Sequence, residues 1–224
     1  MKVIKVTKEY FQTEDEKVYF FEPLEKEISV EDMQKIVDAN EKLIKELNMK
    51  QIPFPNKKYQ IIYADPPWNI RWQGSNSIGT KPLNYPTMTY MELVDFGAKV
   101  KAIAEDCSKL FMWTTNGTLP EAIGLLKHWG FQYDKLWTWC KPTGAGGHPR
   151  NATEHLIEAS RGALNSIGRH ESPKNNWLIA PTKGHSVKPE EMRKVIEYCY
   201  PNYTKIELFA RQKTEGWDVW GNEV

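Results

Sequence analysis

The stretch "YQIIYADPPWNI", residues 59–70, places an aspartate directly after a run of apolar residues and follows it with two prolines and a tryptophan. A continuous apolar run is typical of a buried strand, so Asp65 lies where that strand ends. Pro66 and Pro67 lack N–H groups, so the turn offers only acceptors: its carbonyl oxygens and the Asp65 carboxylate. A ligand with two N–H groups, such as the amino group of a nucleobase, suits this turn, and Trp68 offers a face on which a base or a neighbouring residue can stack. The alternative is an Asp-Pro turn that only ends the strand.

The composition predicts one large globular domain with a core. The 224 residues are 40% hydrophobic and 26% charged, and none of the apolar runs reaches the roughly eighteen residues needed to span a bilayer. The first residues lack the apolar core of a secretory signal, and the cysteines are odd in number. We therefore expect a cytoplasmic protein with no membrane association.

Charge is unevenly distributed, although the formal net charge is only +1. Residues 1–50 carry nine Lys/Arg against twelve Asp/Glu, whereas residues 141–194 carry nine against five. A phosphate-binding surface is therefore expected in the second segment, with ordinary solvated charge as the equal alternative.

The pattern of helices and breaks predicts an N-terminal extension, residues 1–56, before a main domain, residues 57–224. Ser29 precedes an amphipathic helical pattern that ends before Pro53 and Pro55. Its apolar stripe is expected to pack within the chain rather than to form a dimer seam; its residues are Met33, Ile36, Val37, Leu43, Ile44 and Leu47.

After this break, strand-like apolar runs alternate with helical patterns. The predicted strands are 59–65, 109–114, 135–141, 154–160 and 203–210, and the predicted helices are 89–105, 119–130 and 188–200. This order predicts an α/β fold, a mostly parallel sheet with helices on both faces. Ligands bind such sheets at the carboxyl ends of the strands, where Asp65 lies.

The motif "ADPPW" closely resembles the signature of the S-adenosylmethionine-dependent adenine-N6 methyltransferases named for the seventy-kilodalton MT-A subunit. Further blocks are similar to this family in the same order: "YPTM" at 85–88, "KLFMWTT", "WTWCKP", "RNATEHLIEASRG", "HSVKPEEM" and the C-terminal "KIELFARQKTEGWDVWGNEV". The resemblance covers residue 59 to the end. It implies a Rossmann-like methyltransferase fold with rearranged motif order.

The resemblance also implies roles for individual residues. The catalytic set is Asp65, Pro66, Pro67, Trp68 and Tyr85, and S-adenosylmethionine contacts are expected from Asp65, Lys188, Arg211, Lys213, Asn222 and Glu223. The family's aspartate for the cofactor adenine has no counterpart here, where only Asn48 or backbone groups around Gln51 and Ile52 are available. Nucleic-acid contacts are expected from Arg71, Lys81, Arg150, Asn151, Arg161 and Arg169.

The function predicted is methylation of adenine N6 in DNA, with RNA as the alternative substrate and a non-catalytic nucleic-acid-binding or partner subunit as the alternative class. A homodimer, or a heterodimer with a related subunit, is compatible with the sequence. The five histidines show no metal-ligand spacing with the three cysteines, so no metal site is expected. His155, beside Glu154 at a strand start, is expected to organise the active-site loop.

Overall fold

The computed structural model describes residues 2–14, 16, 18–20, 24–39, 53–69, 87–145, 150–163, 167–184, 187–221 and 224. The chain divides into two compact units, Met1–Gln51 and Ile52–Val224. The domain boundary at residue 56 stays a prediction. Within the described residues, none of the helices is both long and apolar enough to cross a bilayer.

The N-terminal unit contains a three-stranded antiparallel sheet of β1 (Val3–Val6), β2 (Tyr10–Thr13) and β3 (Val18–Phe20), and a helix, α1, over residues 30–39. Ser29 caps the helix as predicted, because its Oγ accepts the Asp32 N–H at 3.0 Å. Met33 and Val37 from the predicted stripe are buried with Val3, so this part of the stripe packs within the chain. Ile36 is 49% exposed and is not part of that core, which corrects the stripe; residues 43, 44 and 47 lie outside the described ranges.

The second unit is built on a seven-stranded sheet. Its strands are β4 (Tyr59–Ala64), β5 (Ala104–Thr115), β6 (Gln132–Ala145), β7 (Asn151–Arg161), β8 (Trp177–Ile179), β9 (Lys205–Leu208) and β10 (Asp218–Trp220). Across the sheet the strands lie in the order β10-β9-β4-β5-β7-β6-β8, and three helices connect them: α2 (Tyr90–Ile103), α3 (Leu119–Trp129) and α4 (Glu190–Cys199). The sequence predicted five of them but not β8 and β10, whose three residues each are too few to show a periodicity.

Strand directions confirm the mostly parallel sheet and add one feature that decides the site. Four neighbouring pairs are parallel, whereas β7 runs antiparallel to both β5 and β6. The amino-terminal end of β7 therefore lies at the same edge of the sheet as the carboxyl ends of β4, β5 and β6.

Each face of the sheet has its own core, as expected for a sheet with helices on both sides. Along β4, Ile62 and Ala64 join the core formed with α2 and α3, while Ile61 and Tyr63 join the core formed with α4. This alternation follows from the two-residue period of a strand, and it leaves the end of β4 at the sheet edge.

Candidate active site

Three charged side chains from distant parts of the sequence meet at the carboxyl edge of the sheet. Lys188, two residues before α4, places its Nζ 3.2 Å from Asp65 Oδ1 and 3.2 Å from Glu154 Oε2. Glu154 also forms an ion pair with Lys141 at the end of β6. Asp65 directly follows β4, and Glu154 lies near the amino-terminal end of the antiparallel strand β7, so the direction of β7 is what brings the two residues to the same edge. The sequence predicted Asp65 and Lys188 as site residues, but it predicted neither Glu154 nor Lys141.

The Asp-Pro-Pro turn uses its carbonyl oxygens in the local backbone. Pro66 O accepts the Trp68 N–H at 2.8 Å, and Pro67 O accepts the Met88 N–H at 2.8 Å. A carbonyl oxygen has two lone pairs, so each retains one for a ligand. These two hydrogen bonds tie the turn to its own backbone and to Met88.

Trp68 is a core residue in this structure. It is 7% exposed, and its indole N–H donates to the Trp113 carbonyl at 2.9 Å. Trp113 in turn donates its indole N–H to Tyr63 Oη at 2.5 Å. Of the two possibilities for the Trp68 ring, the structure shows packing against neighbouring residues, and the catalytic role predicted for Trp68 stays a prediction.

Burial and ion pairing act in opposite directions on the charges of this cluster. Burial raises the pKa of the Asp65 carboxyl above its ordinary value, and Lys188 offsets only part of that effect. Burial alone lowers the pKa of Lys188, but Asp65 and Glu154 outweigh it and the net shift is upward. Burial likewise raises the pKa of Glu154, yet Lys188 and Lys141 bring it below its ordinary value. Asp65 is thus the member of the cluster closest to losing its charge.

His155 contacts the loop after β5 and the neighbouring strand β6, and its predicted role in organising the active-site loop stays a prediction. Its Nε2 lies 2.9 Å from Asn116 Oδ1, and its Nδ1 lies 3.2 Å from Thr138 Oγ1. Asn116 Nδ2 donates to the Thr153 carbonyl at 3.2 Å, which leaves its oxygen to accept from His155. Burial lowers the pKa of His155, so the neutral ring with its proton on Nε2 fits these partners.

Arg211 and Lys213 lie on a loop that leaves β9 through a strained residue. Phe209 has φ 61°, a left-handed conformation that a bulky residue adopts only when its surroundings impose it. Its ring packs on Phe96 at 5.0 Å. The positive charge of Arg211 lowers the pKa of Asp65, although burial raises that pKa overall. Lys213 is exposed on the same loop.

The arginines predicted to bind nucleic acid do not form one track. Arg150 and Asn151 are exposed at the start of β7, near the cluster. Arg161 ends the same 11-residue strand, so it lies roughly 30 Å away at the opposite edge, where it donates to the Lys101 carbonyl. Arg169 forms an ion pair with Glu158, a residue only 1% exposed, and is committed to the core. The grouping of these residues on one surface is therefore corrected.

The remaining predicted site residues lie outside the described ranges. These are Tyr85, Arg71, Lys81, Asn222 and Glu223, together with Asn48, Gln51 and Ile52, which were considered for the cofactor adenine. Their roles stay predictions.

Comparison with known proteins places the chain in a family. The MT-A70 family model matches residues 59–223, which includes every element of the cluster. The chain belongs to the MT-A70 family. It is 33% identical over 189 residues to the type II methyltransferase M.MunI from Mycoplasma sp, across 76% of this chain and 79% of that protein. Family and relatives together make it an adenine-N6 methyltransferase, which confirms the enzyme class predicted from the sequence.

Two animal relatives are much longer. The N(6)-adenosine-methyltransferase MT-A70-like protein of Drosophila melanogaster is 29% identical over 178 residues, which is 75% of this chain and 27% of that protein. The human N(6)-adenosine-methyltransferase catalytic subunit METTL3 is 28% identical over 178 residues, again 75% of this chain and 28% of that protein. The chain therefore spans little more than a quarter of the length of these two relatives.

Proposed function

We propose that this MT-A70 family member transfers the methyl group of S-adenosylmethionine to N6 of adenine in DNA. The observation that carries the proposal is the Asp65 carboxylate, held at the sheet edge by a turn whose two prolines remove competing N–H donors. An amino group needs acceptors, and this turn supplies only acceptors.

The reacting group is a poor nucleophile because its lone pair is delocalised into the adenine ring. Asp65 would accept a hydrogen bond from one N–H of the amino group, and the Pro66 carbonyl oxygen would accept one from the other N–H with its second lone pair. These two hydrogen bonds favour a more tetrahedral nitrogen whose lone pair is directed at the methyl group. Lys188, 3.2 Å from Asp65, keeps the carboxylate ionised against the effect of burial. Positioning and fixed charges therefore supply most of the acceleration.

The charges of the cluster fit the amino-acid end of S-adenosylmethionine, whose sulfonium supplies the methyl group when the cofactor is bound. That end carries an ammonium, which Asp65 would bind, and a carboxylate, which Lys188, Arg211 and Lys213 would bind. Asn222 and Glu223 are proposed for the ribose, from the resemblance alone.

DNA is proposed as the substrate because of the similarity to the type II methyltransferase M.MunI, which is 33% identical. The alignment with M.MunI covers 79% of that protein, whereas the adenosine methyltransferases of Drosophila and human are matched over 27% and 28% of their length. RNA is the second candidate, because those longer relatives are N(6)-adenosine-methyltransferases. A duplex would have to release the base by flipping, whereas a single strand needs only unstacking. Three cysteines without disulfides favour a reducing compartment such as the cytoplasm.

In the test, the purified protein is incubated with labelled S-adenosylmethionine and with DNA or RNA oligonucleotides of the same sequence, each as a single strand and as a duplex. Mass spectrometry of the digested products then identifies the methylated base. We expect N6-methyladenine in DNA, and a loss of at least about a hundredfold in Asp65→Asn, which keeps the size of the side chain but not its charge. Transfer to RNA alone would replace DNA by the second candidate. Near-normal turnover by a folded Asp65→Asn protein would remove the mechanism.

The same oligonucleotides test which macromolecules the protein binds. Sedimentation with and without DNA measures whether the protein binds nucleic acid as a monomer, as a homodimer, or only with a related subunit.

A further inference from the structure

Arg193, on the first turn of α4, has no role in the mechanism above, and it contacts β9, the loop after β9 and the ring of Tyr63. Its Nη2 donates to Glu207 Oε2 on β9 at 2.6 Å, and its Nη1 donates to Thr214 Oγ1 at 3.0 Å. The guanidinium carbon lies 5.6 Å from the centroid of the Tyr63 ring. The side chains of Arg193 and Glu207 are only 12% and 10% exposed, so this is a buried ion pair.

The Arg193–Glu207 pair lies next to the end of β4, the strand that leads into the Asp-Pro-Pro turn. Glu207 is the register partner of Tyr63 across the β4–β9 pairing, two residues before Asp65. Tyr63 Oη accepts the indole N–H of Trp113, and the Lys188 ammonium lies 5.6 Å from the centroid of the Trp113 ring. Arg193 is therefore connected to the Asp65–Lys188 cluster through two packed aromatic side chains.

The second contact of Arg193 fixes the loop that carries Arg211 and Lys213. Thr214 lies in this loop, and its carbonyl accepts the Trp217 N–H at 3.2 Å. Trp217 is buried and donates its indole N–H to Glu197 Oε1 on α4 at 2.7 Å. Both ends of the segment 214–217 are thus tied to α4, the helix that follows the Lys188 segment.

We propose that Arg193 is a positioning residue for methyl-donor binding. Through its contacts with Glu207 and Thr214, it holds the 211–217 loop and the Lys188 segment in one relative arrangement. The inference rests on the proposed function, because the cations it positions are those assigned to the carboxylate of the donor. A two-pronged guanidinium suits this task, since it can donate to two acceptors in a fixed geometry whereas an ammonium is a flexible point charge.

A purely structural ion pair is the competing explanation, since loss of one partner of any buried pair destabilises a protein. Thr214→Val separates the two, because it removes only the hydroxyl that receives Arg193 and leaves the Arg193–Glu207 pair intact. Lys194→Met is the matched control on the same helix: Lys194 forms an ion pair with Glu190 at the surface, where its side chain is 66% exposed.

The experiment measures S-adenosylhomocysteine binding by calorimetry at pH 8, together with kcat, KM for S-adenosylmethionine and the melting temperature. For Thr214→Val we expect donor affinity to fall and KM to rise by roughly fivefold, the effect of one hydrogen bond, with kcat within about twofold of wild type. Arg193→Lys, which keeps the charge but not the fork, should show the same or a larger loss of affinity. Lys194→Met should bind as wild type.

Unchanged donor affinity and KM in Thr214→Val, with or without a lower melting temperature, would overturn the proposal. A fall in kcat with unchanged KM would also overturn it, since that places the effect on the chemical step. Wild-type protein that binds S-adenosylhomocysteine but methylates neither DNA nor RNA would refute the proposed function alone, and the calorimetry would still decide the role of Arg193.

Discussion

Replacing Lys188 by methionine is expected to move the acidic limb of the pH–rate profile to higher pH. Methionine occupies a similar volume but has no charge, so it removes the cation that lies 3.2 Å from both Asp65 and Glu154. Ionised Asp65 is a charged group that can only accept, whereas the protonated carboxyl is a weaker acceptor and also a donor, so activity should fall as the pH falls through its pKa. Burial already raises that pKa and Lys188 counteracts it, so the loss should begin at higher pH without Lys188.

The size of the shift follows from the geometry. With an effective dielectric constant of about 20, Coulomb's law gives roughly 5 kcal/mol for unit charges 3.2 Å apart, the separation of Lys188 Nζ and Asp65 Oδ1. Solvent reaches the Asp65 side chain, which is 23% exposed, and screens part of this interaction. We therefore expect an upward shift of about one to three pH units, the range produced by an opposite charge at this distance.

The assay is kcat/KM for the nucleic acid, measured from pH 5 to pH 9 with saturating donor. The position of the limb is the readout, because Lys188→Met also lowers donor affinity and so reduces the rate at every pH. Lys183→Met is the control: Lys183 lies in the same segment, its side chain is 54% exposed, and its partner is Glu190 at 4.0 Å. An acidic limb that stays at the wild-type pH in Lys188→Met would refute the idea that Lys188 keeps Asp65 ionised.

Three further perturbations test other parts of the reasoning. Gly221→Ala should destabilise the protein by more than about 2 kcal/mol in urea unfolding, because the added Cβ would lie 2.2 Å from the Ala210 carbonyl oxygen. Gly168→Ala is the control and should cost far less, because a Cβ at that position would have nothing within 4 Å. Burial raises the pKa of Glu207 to about 7, despite Arg193, so the contribution of this group to stability is full below its unfolded pKa and is lost as the pH rises through 7. Relative to Glu207→Gln, the wild type should therefore lose roughly 3 kcal/mol of unfolding free energy between pH 4 and pH 8. Parallel curves of unfolding free energy against pH would contradict the shift. Arg150→Gln should flatten the salt dependence of DNA binding by about one unit whereas Arg161→Gln should not, and equal effects would mean that the opposite sheet edge also contacts DNA.

Local chemistry explains what could be read from the sequence. The turn at Asp65 follows from covalent properties of proline and from an apolar run, neither of which depends on distant residues. The alternation of strands and helices predicted the two-faced sheet for the same reason, since each pattern reflects the period of its own segment. The position of Asp65 at the carboxyl edge of a parallel strand then followed from a general rule about such sheets.

Tertiary structure decided everything that depends on strand direction and on partners distant in sequence. A run of apolar residues has the same period in either direction, so "EHLIEAS" could not reveal that β7 is antiparallel, yet this reversal is what brings Glu154 to Lys188 and Asp65. The same reversal separates Arg161 from Arg150, and a buried carboxylate on β7 engages Arg169 in the core. A charged residue looks alike in sequence whether it faces solvent, a substrate or an ion-pair partner, because the difference lies in its neighbours in space and not in its neighbours along the chain.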